Sequence, residues 1–435
     1  MFMVFRLHLL FSATKMLFLL GSEMNKIKYF LLLTILWISS GFALQPQSIL
    51  DKRTNTLSQY NQGYPISNLN WPSKKIRLSG FTNVDIHPKT MQKTLAGEEN
   101  DYFALSNIGL NIDSDLSQLF HAHVGVAYFK TNKGQGDRIK NTDLMLDDAY
   151  LTYSDFSQAP WFVEIGRFYL PFGQYNRYAI VPTLAQILTM ARETGVQVGT
   201  IDWEGITGSM YISQGALKRN NKRIQGNLNG GAALHYHHRF KNKFHAKAGL
   251  QYIYNMLDTN AISESDPFQT SNNSATPLFP TANDVYSSRT GGIATQATIG
   301  YRWVNVYGQY VTALSKSSNI LRKYTSPSSR SGAAIMDAKP SAWDAGFKFN
   351  FNSFKKCSEF DFTYSRSDDT AGLFIFNSTR NHAMPHARYI WGYSIDWTQY
   401  LLTRLQWAHD WLYPQGHGDT GRQGDDITLR VGVKL

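Results

Sequence analysis

The residues able to do chemistry in this 435-residue chain are imidazoles, carboxylates and guanidinium groups, many of them two positions apart. His121 and His123 form one such pair and His235 and His237 another, while His382 and His386 lie four apart. Paired histidines can ligate a metal, but no carboxylate completes a ligand set at fixed spacing. Solvated imidazole is the stronger reading, and no metal or other cofactor is expected. No glycine-rich phosphate loop, G-x-S-x-G elbow or H-E-x-x-H motif occurs. The chain does not read as an enzyme. Its single cysteine, Cys357, excludes an intramolecular disulfide and a cysteine-based metal centre.

The charged residues fall on one face of alternating segments. In Phe244–Tyr254, apolar even positions alternate with His245, Lys247, Gly249 and Gln251. In Trp343–Phe351, apolar odd positions alternate with Asp344, Gly346, Lys348 and Asn350. Side chains of a strand point alternately to its two faces, so each segment has one apolar and one polar side. On the polar side, Asp148, Glu164, Asp344, Asp361 and Asp396 stand against Arg77, Lys247, Arg302, Lys348, Arg404 and Arg430. Such a set either creates a transverse field across a pore or pairs within itself, and pairing is the safer reading for any one residue.

About sixteen such segments, each about ten residues long, run from 74–86 to 426–435. That is the length of a tilted membrane-spanning strand. Short turns after even-numbered segments alternate with long polar loops after odd ones. The pattern predicts an all-β fold, a transmembrane antiparallel barrel with short periplasmic turns and long surface loops. Composition agrees. Aromatics reach 14%, and charged residues make up 17%, against about 25% in soluble chains.

The net charge of +11 is scattered rather than gathered into a stripe, so nucleic acid is not an expected partner. The exception is Lys218, Arg219, Lys222 and Arg223, a basic surface loop suited to drawing anions to a pore mouth or to contacting lipopolysaccharide. Residues 1–43 read as a signal peptide whose start codon is Met24, with 1–23 an upstream start wrongly included. Residues 44–73 read as a short periplasmic extension, and 74–435 as the barrel. The extension is too short for the folded plug of energised receptors.

The third surface loop, within residues 163–199, is apolar in its middle, from Ala179 to Val181 and from Leu184 to Met190. An exposed loop does not usually carry such a run. Folded back into the pore it would form a constriction, with a short helix over 183–192 and with Arg177, Tyr178, Arg192 and Glu193 facing the channel. A lid over the wall or a subunit contact in a homo-oligomer are the alternatives.

The stretch GRFYLPFGQYNRY followed by RETGVQVG resembles the LbtU family of siderophore porins, known from Legionella and its relatives. The resemblance covers most of 74–435. It implies a 16-stranded bacterial outer-membrane barrel that takes up a ferric polycarboxylate siderophore without a plug domain. The alternative is a general or anion-selective, for example phosphate-selective, diffusion porin. The last strand resembles the signal read by the barrel-assembly machinery, except that Leu435 replaces the usual terminal aromatic.

Overall fold

The computed structural model describes residues 76–87, 103–117, 119–129, 144–156, 158–174, 180–215, 218–219, 222–223, 228–240, 243–259, 262, 289–324, 335–370, 374–375, 382–414 and 421–434. The leader, the N-terminal extension, Arg177 and Tyr178 lie outside the described residues.

Sixteen antiparallel strands close into one barrel. The first eight are β1 (Ile76–Ile86), β2 (Phe103–Asp115), β3 (Phe120–Phe129), β4 (Leu144–Ser154), β5 (Trp161–Tyr169), β6 (Arg192–Trp203), β7 (Ile206–Gln214) and β8 (Leu228–Arg239). The second eight are β9 (Phe244–Ile253), β10 (Gly292–Tyr301), β11 (Val304–Ala313), β12 (Ser341–Ser353), β13 (Lys356–Asp368), β14 (Ala387–Asp396), β15 (Leu401–Trp411) and β16 (Gln423–Lys434). Each pairs with its sequence neighbour, and β1 closes on β16 in the register Phe81↔Lys434 to Ile86↔Leu429. The expected strands and the short–long alternation of connections are therefore present.

Closure follows from the solvent. Hydrocarbon offers no partner for a backbone N–H or C=O, so a spanning sheet cannot keep an edge. The alternation then sorts side chains by solvent. Along β7, Ile206, Met210 and Ile212 are exposed on the outer face while Thr207, Ser209, Tyr211 and Ser213 are buried. Leu105, Ile108, Leu110 and Ile112 form the same outer face on β2, with Asn111 and Asp113 inside. A continuous apolar outer surface of this kind needs a bilayer. Phe240, Trp303, Phe354 and Tyr400 collect at the short-turn end, as an interfacial aromatic girdle requires.

Two short turns differ by one or two residues from their expected positions. Ser353 pairs with Lys356, leaving Phe354 and Lys355 as a two-residue loop with φ of 54° and 62°. Both central residues are left-handed, the geometry that matches strand twist in a hairpin. Neither is Gly or Asn, so the usual sequence signal is missing. Three surface loops also carry small two-stranded ribbons, among them Lys218–Arg219 with Lys222–Arg223.

The outer face yields a direct prediction. Leu250→Arg, at a position 54% exposed to lipid, should destabilise the folded barrel by about 2–4 kcal/mol. Thr298→Arg, on the inner face of β10, should cost far less. Urea unfolding in lipid vesicles would measure both; a larger cost for Thr298→Arg than for Leu250→Arg would mean that inside and outside have been exchanged.

Candidate functional site

The chain between β5 and β6 runs along the inside of the barrel. Gly173 holds φ at +88°, and a Cβ there would collide with Thr189, so only glycine permits this turn. From that point the loop takes its hydrogen bonds from the wall. The N–H groups of Gly173 and Gln174 donate to Gln251 Oε1 of β9 (2.7 Å) and Gln309 Oε1 of β11 (3.3 Å). Ile180 N–H donates to Gln406 Oε1 of β15 at 3.0 Å, and Ile180 and Val181 pack with Ala408. Arg388 of β14 donates to the carbonyl of Pro182 at 2.8 Å.

The loop then forms α1 (Leu184–Thr189), the short helix expected from sequence, with all six residues buried. Thr183 is its N-cap: its hydroxyl accepts from Gln186 N–H at 3.3 Å, as a threonine at a helix start does. The same hydroxyl donates to Asp344 Oδ2 of β12 at 2.5 Å. Asp344 also accepts from Ala185 N–H at 3.4 Å and from the Ser365 hydroxyl, while Leu184 N–H donates to Ser365 Oγ at 2.8 Å. One buried carboxylate thus collects the start of the helix and a neighbouring strand. Leu184, Ile187 and Leu188 complete the seat by packing in a cluster with Tyr211, Ile253, Ala294, Val311 and Ala342.

That packing explains a local break in the barrel code. A water-filled lumen wants polar inner-face residues, yet Ala294, Val311, Ala313 and Ala342 point inward. They are apolar because they share one buried cluster with α1 and with Phe172, Met256 and Leu257. Apolar residues on the inner face were the available sequence signal for where the loop docks. The anchors Gln251, Gln309, Ser365, Arg388 and Gln406 carried none, because a polar inward residue is ordinary in a barrel.

The predicted lining residues are mostly neutralised by neighbours. Arg404 donates to both Asp361 oxygens at 2.7 and 2.9 Å, and Arg430 to both Asp85 oxygens at 2.6 and 2.7 Å. Lys348 pairs with Glu359. His123 joins Asp113 at 2.8 Å and Asp148 at 3.2 Å, and Glu164 accepts from Thr152 at 3.3 Å. Close pairs of this type, bidentate for Arg430, are strong and local, so they act as fixed dipoles rather than as a field across the whole lumen. Arg192 and Glu193 are the first two residues of β6 and are buried, and Arg192 pairs with Asp147 of β4. They belong to the wall beside the loop rather than to the loop. Arg302 sits in the β10–β11 turn, exposed and over the Tyr301 ring, not in the lumen as its parity suggested. Asp396 is at a strand end, 3.7 Å from Lys434. Lys247 faces inward from β9 without an ion pair among the described residues.

Among solved structures, OprB of Pseudomonas putida aligns with 83% of this chain and 94% of its own, at a TM-score of 0.51 and 11% identity. The fold is that of an outer-membrane porin. An anion-selective porin from Comamonas acidovorans aligns over 83% of this chain and 99% of its own, with a TM-score of 0.49 and 11% identity. No family model matches the chain. A UPF0422 protein of Coxiella burnetii is 20% identical over 330 residues, 75% of this chain. A UPF0422 protein of Legionella pneumophila strain Paris is 20% identical over 407 residues, 88% of this chain. The chain spans 63% and 70% of the lengths of these two relatives.

Asp344→Ala should strand the Thr183 and Ser365 hydroxyls and the Ala185 N–H, each at about 1–3 kcal/mol if water does not reach it. Faster protease cleavage between 170 and 191 in the folded barrel is the expected result, with Asp344→Asn milder because it keeps an acceptor. Cleavage at the wild-type rate in Asp344→Ala would remove the carboxylate from the latch.

Proposed function

We propose that the barrel is a passive outer-membrane channel whose bore is narrowed by the loop between β5 and β6. The observation that carries this reading is the latch: a loop anchored to β9, β11, β12, β13, β14 and β15 must cross the space a solute would use. A lid resting on the outer rim would not take its hydrogen bonds from inner-face glutamines. In this reading Arg177 and Tyr178, in the middle of the loop, face the remaining opening, and the charges of Asp148, Glu164, Lys348, Arg404 and Arg430 shape its walls.

The solute in our reading is small and anionic, and specifically a ferric siderophore with carboxylate groups. The support is the resemblance of GRFYLPFGQYNRY and RETGVQVG to siderophore porins, together with the basic ribbon Lys218–Arg219 and Lys222–Arg223 in a surface loop. A general or phosphate-selective diffusion porin is the second reading. The same Pro171-Phe172-Gly173 turn is compatible with both.

Single-channel recording in planar bilayers separates them. The wild type should conduct, a ferric polycarboxylate siderophore should interrupt its current, and deletion of Arg177–Met190 should raise the conductance. Absence of any conductance would end the channel reading. Current indifferent to the siderophore would leave a general porin, and unchanged conductance in the deletion would remove the loop from the constriction.

A further inference from the structure

The inner wall is not uniform in charge. None of the five strands β7 to β11 contains Asp or Glu at any position. Elsewhere, the inward cations Arg77, Arg388 and Arg430 each face a carboxylate of a neighbouring strand, and Arg404 reaches Asp361 across one intervening strand. The inward histidines of β3 do the same: His121 and His123 contact Asp115 and Asp113. On β8 and β9 the rule fails. His237 stands opposite Lys247, and Arg239 opposite His245, in direct cross-strand register. A neutral imidazole opposite a cation leaves that cation's charge uncompensated. Among the described residues, Lys247 and Arg239 have no ion pair to offset this, and both side chains are exposed.

The patch also has a defined place. His235, two residues above His237, lies 3.2 Å from Gln251 Nε2 and 2.9 Å from Gln296 Nε2. Gln251 is the residue that accepts the Gly173 N–H, the first anchor of the constricting loop. Lys247 lies four residues along β9 from that anchor, on the order of 13 Å toward the short-turn end. His245 lies flat against the wall, its ring filling the space a side chain at Gly300 would need. The inner side of the patch is therefore open to solute, and its cations are held beside a low-dielectric wall that concentrates counter-ions.

We propose that the inner face of β8 and β9 is an anion-binding station on the periplasmic side of the constriction, built by Lys247 and Arg239 with His237 and His245. Its ligand class is small oxyanions bearing carboxylate or phosphate groups, two or more negative charges matching the cluster. The proposal rests on the channel reading above and gives that channel its charge preference. A solute that has passed the loop meets, four residues further on, the one stretch of described wall where basic side chains lack internal partners.

The test uses the full chain, citrate and inorganic phosphate as probes, and three variants: the doubles Lys247→Gln/Arg239→Gln and Lys247→Glu/Arg239→Glu, and the single Lys247→Arg. Heat-modifiable gel migration checks that each barrel is folded. In bilayers, the double glutamine variant should need about tenfold more citrate for half-block, the loss of one strong charged contact. The double glutamate variant should move the reversal potential in a salt gradient toward cations, and Lys247→Arg should keep the wild-type block. If phosphate blocks with the same dependence, the station reads charge alone; block by citrate only assigns it to carboxylates, and either supports the station. A conducting wild type whose block and reversal potential are unchanged in both doubles overturns the station and leaves the channel standing. A wild type that does not conduct overturns the channel reading instead. Citrate titration by calorimetry then decides the station, and equal affinity in wild type and double glutamine variant overturns it.

Discussion

The constraint on which everything else depends is that hydrocarbon cannot hydrogen-bond. A backbone N–H or C=O left unpaired there costs several kcal/mol, so the sheet must meet itself, and β1 does meet β16. Closure creates two surfaces that face different media. Period-2 alternation then assigns each residue to one of them without reference to any protein core. Most of the buried polar residues of this chain are consequences of that division, since the inside of a barrel is where polar side chains go.

The same constraint decides what the β5–β6 loop can do. A loop placed inside the barrel carries its own unpaired N–H groups into a confined space, and each must find an acceptor. The wall supplies them as side chains, Gln251, Gln309, Gln406, Ser365 and Asp344, because the wall's own backbone is already used in the ladder. Apolar burial around α1 adds the non-directional part of the attachment, roughly 25 cal/mol for each Å² removed from water. Polar anchors set where the loop lies, and the apolar cluster keeps water out beneath it.

Charge follows a parallel logic. Arginines on the inner wall sit beside carboxylates of the adjacent strand or the next strand but one, in bidentate geometry across adjacent strands for Arg388 and Arg430, which satisfies both partners at short range. Wall charge is thus mostly spent locally. The stretch from β7 to β11 departs from this pattern, and it adjoins the first anchor of the constricting loop.

Much of this was legible in the residues. Alternation fixed the strands and their faces, because Ile206 to Gln214 can satisfy two solvents only as a strand. The unusual apolarity of Leu184–Met190 marked a segment that could not remain in water, and Thr183 marked the start of its helix. Parity misplaced Arg302, since a turn residue obeys no strand period. Which wall the loop reaches, and that Asp344 rather than Arg192 or Glu193 holds it, depended on contacts between residues more than 150 positions apart. The pairing of Arg430 with Asp85, 345 positions apart, depended on closure of the barrel, and that of Arg404 with Asp361 on the strand that lies between theirs. By itself the sequence determined the solvent of each face, because that is a property of residues one and two apart. Only the tertiary structure decided which inward charges cancel and which stay open, because closing the sheet is what brings distant strands to a common lumen.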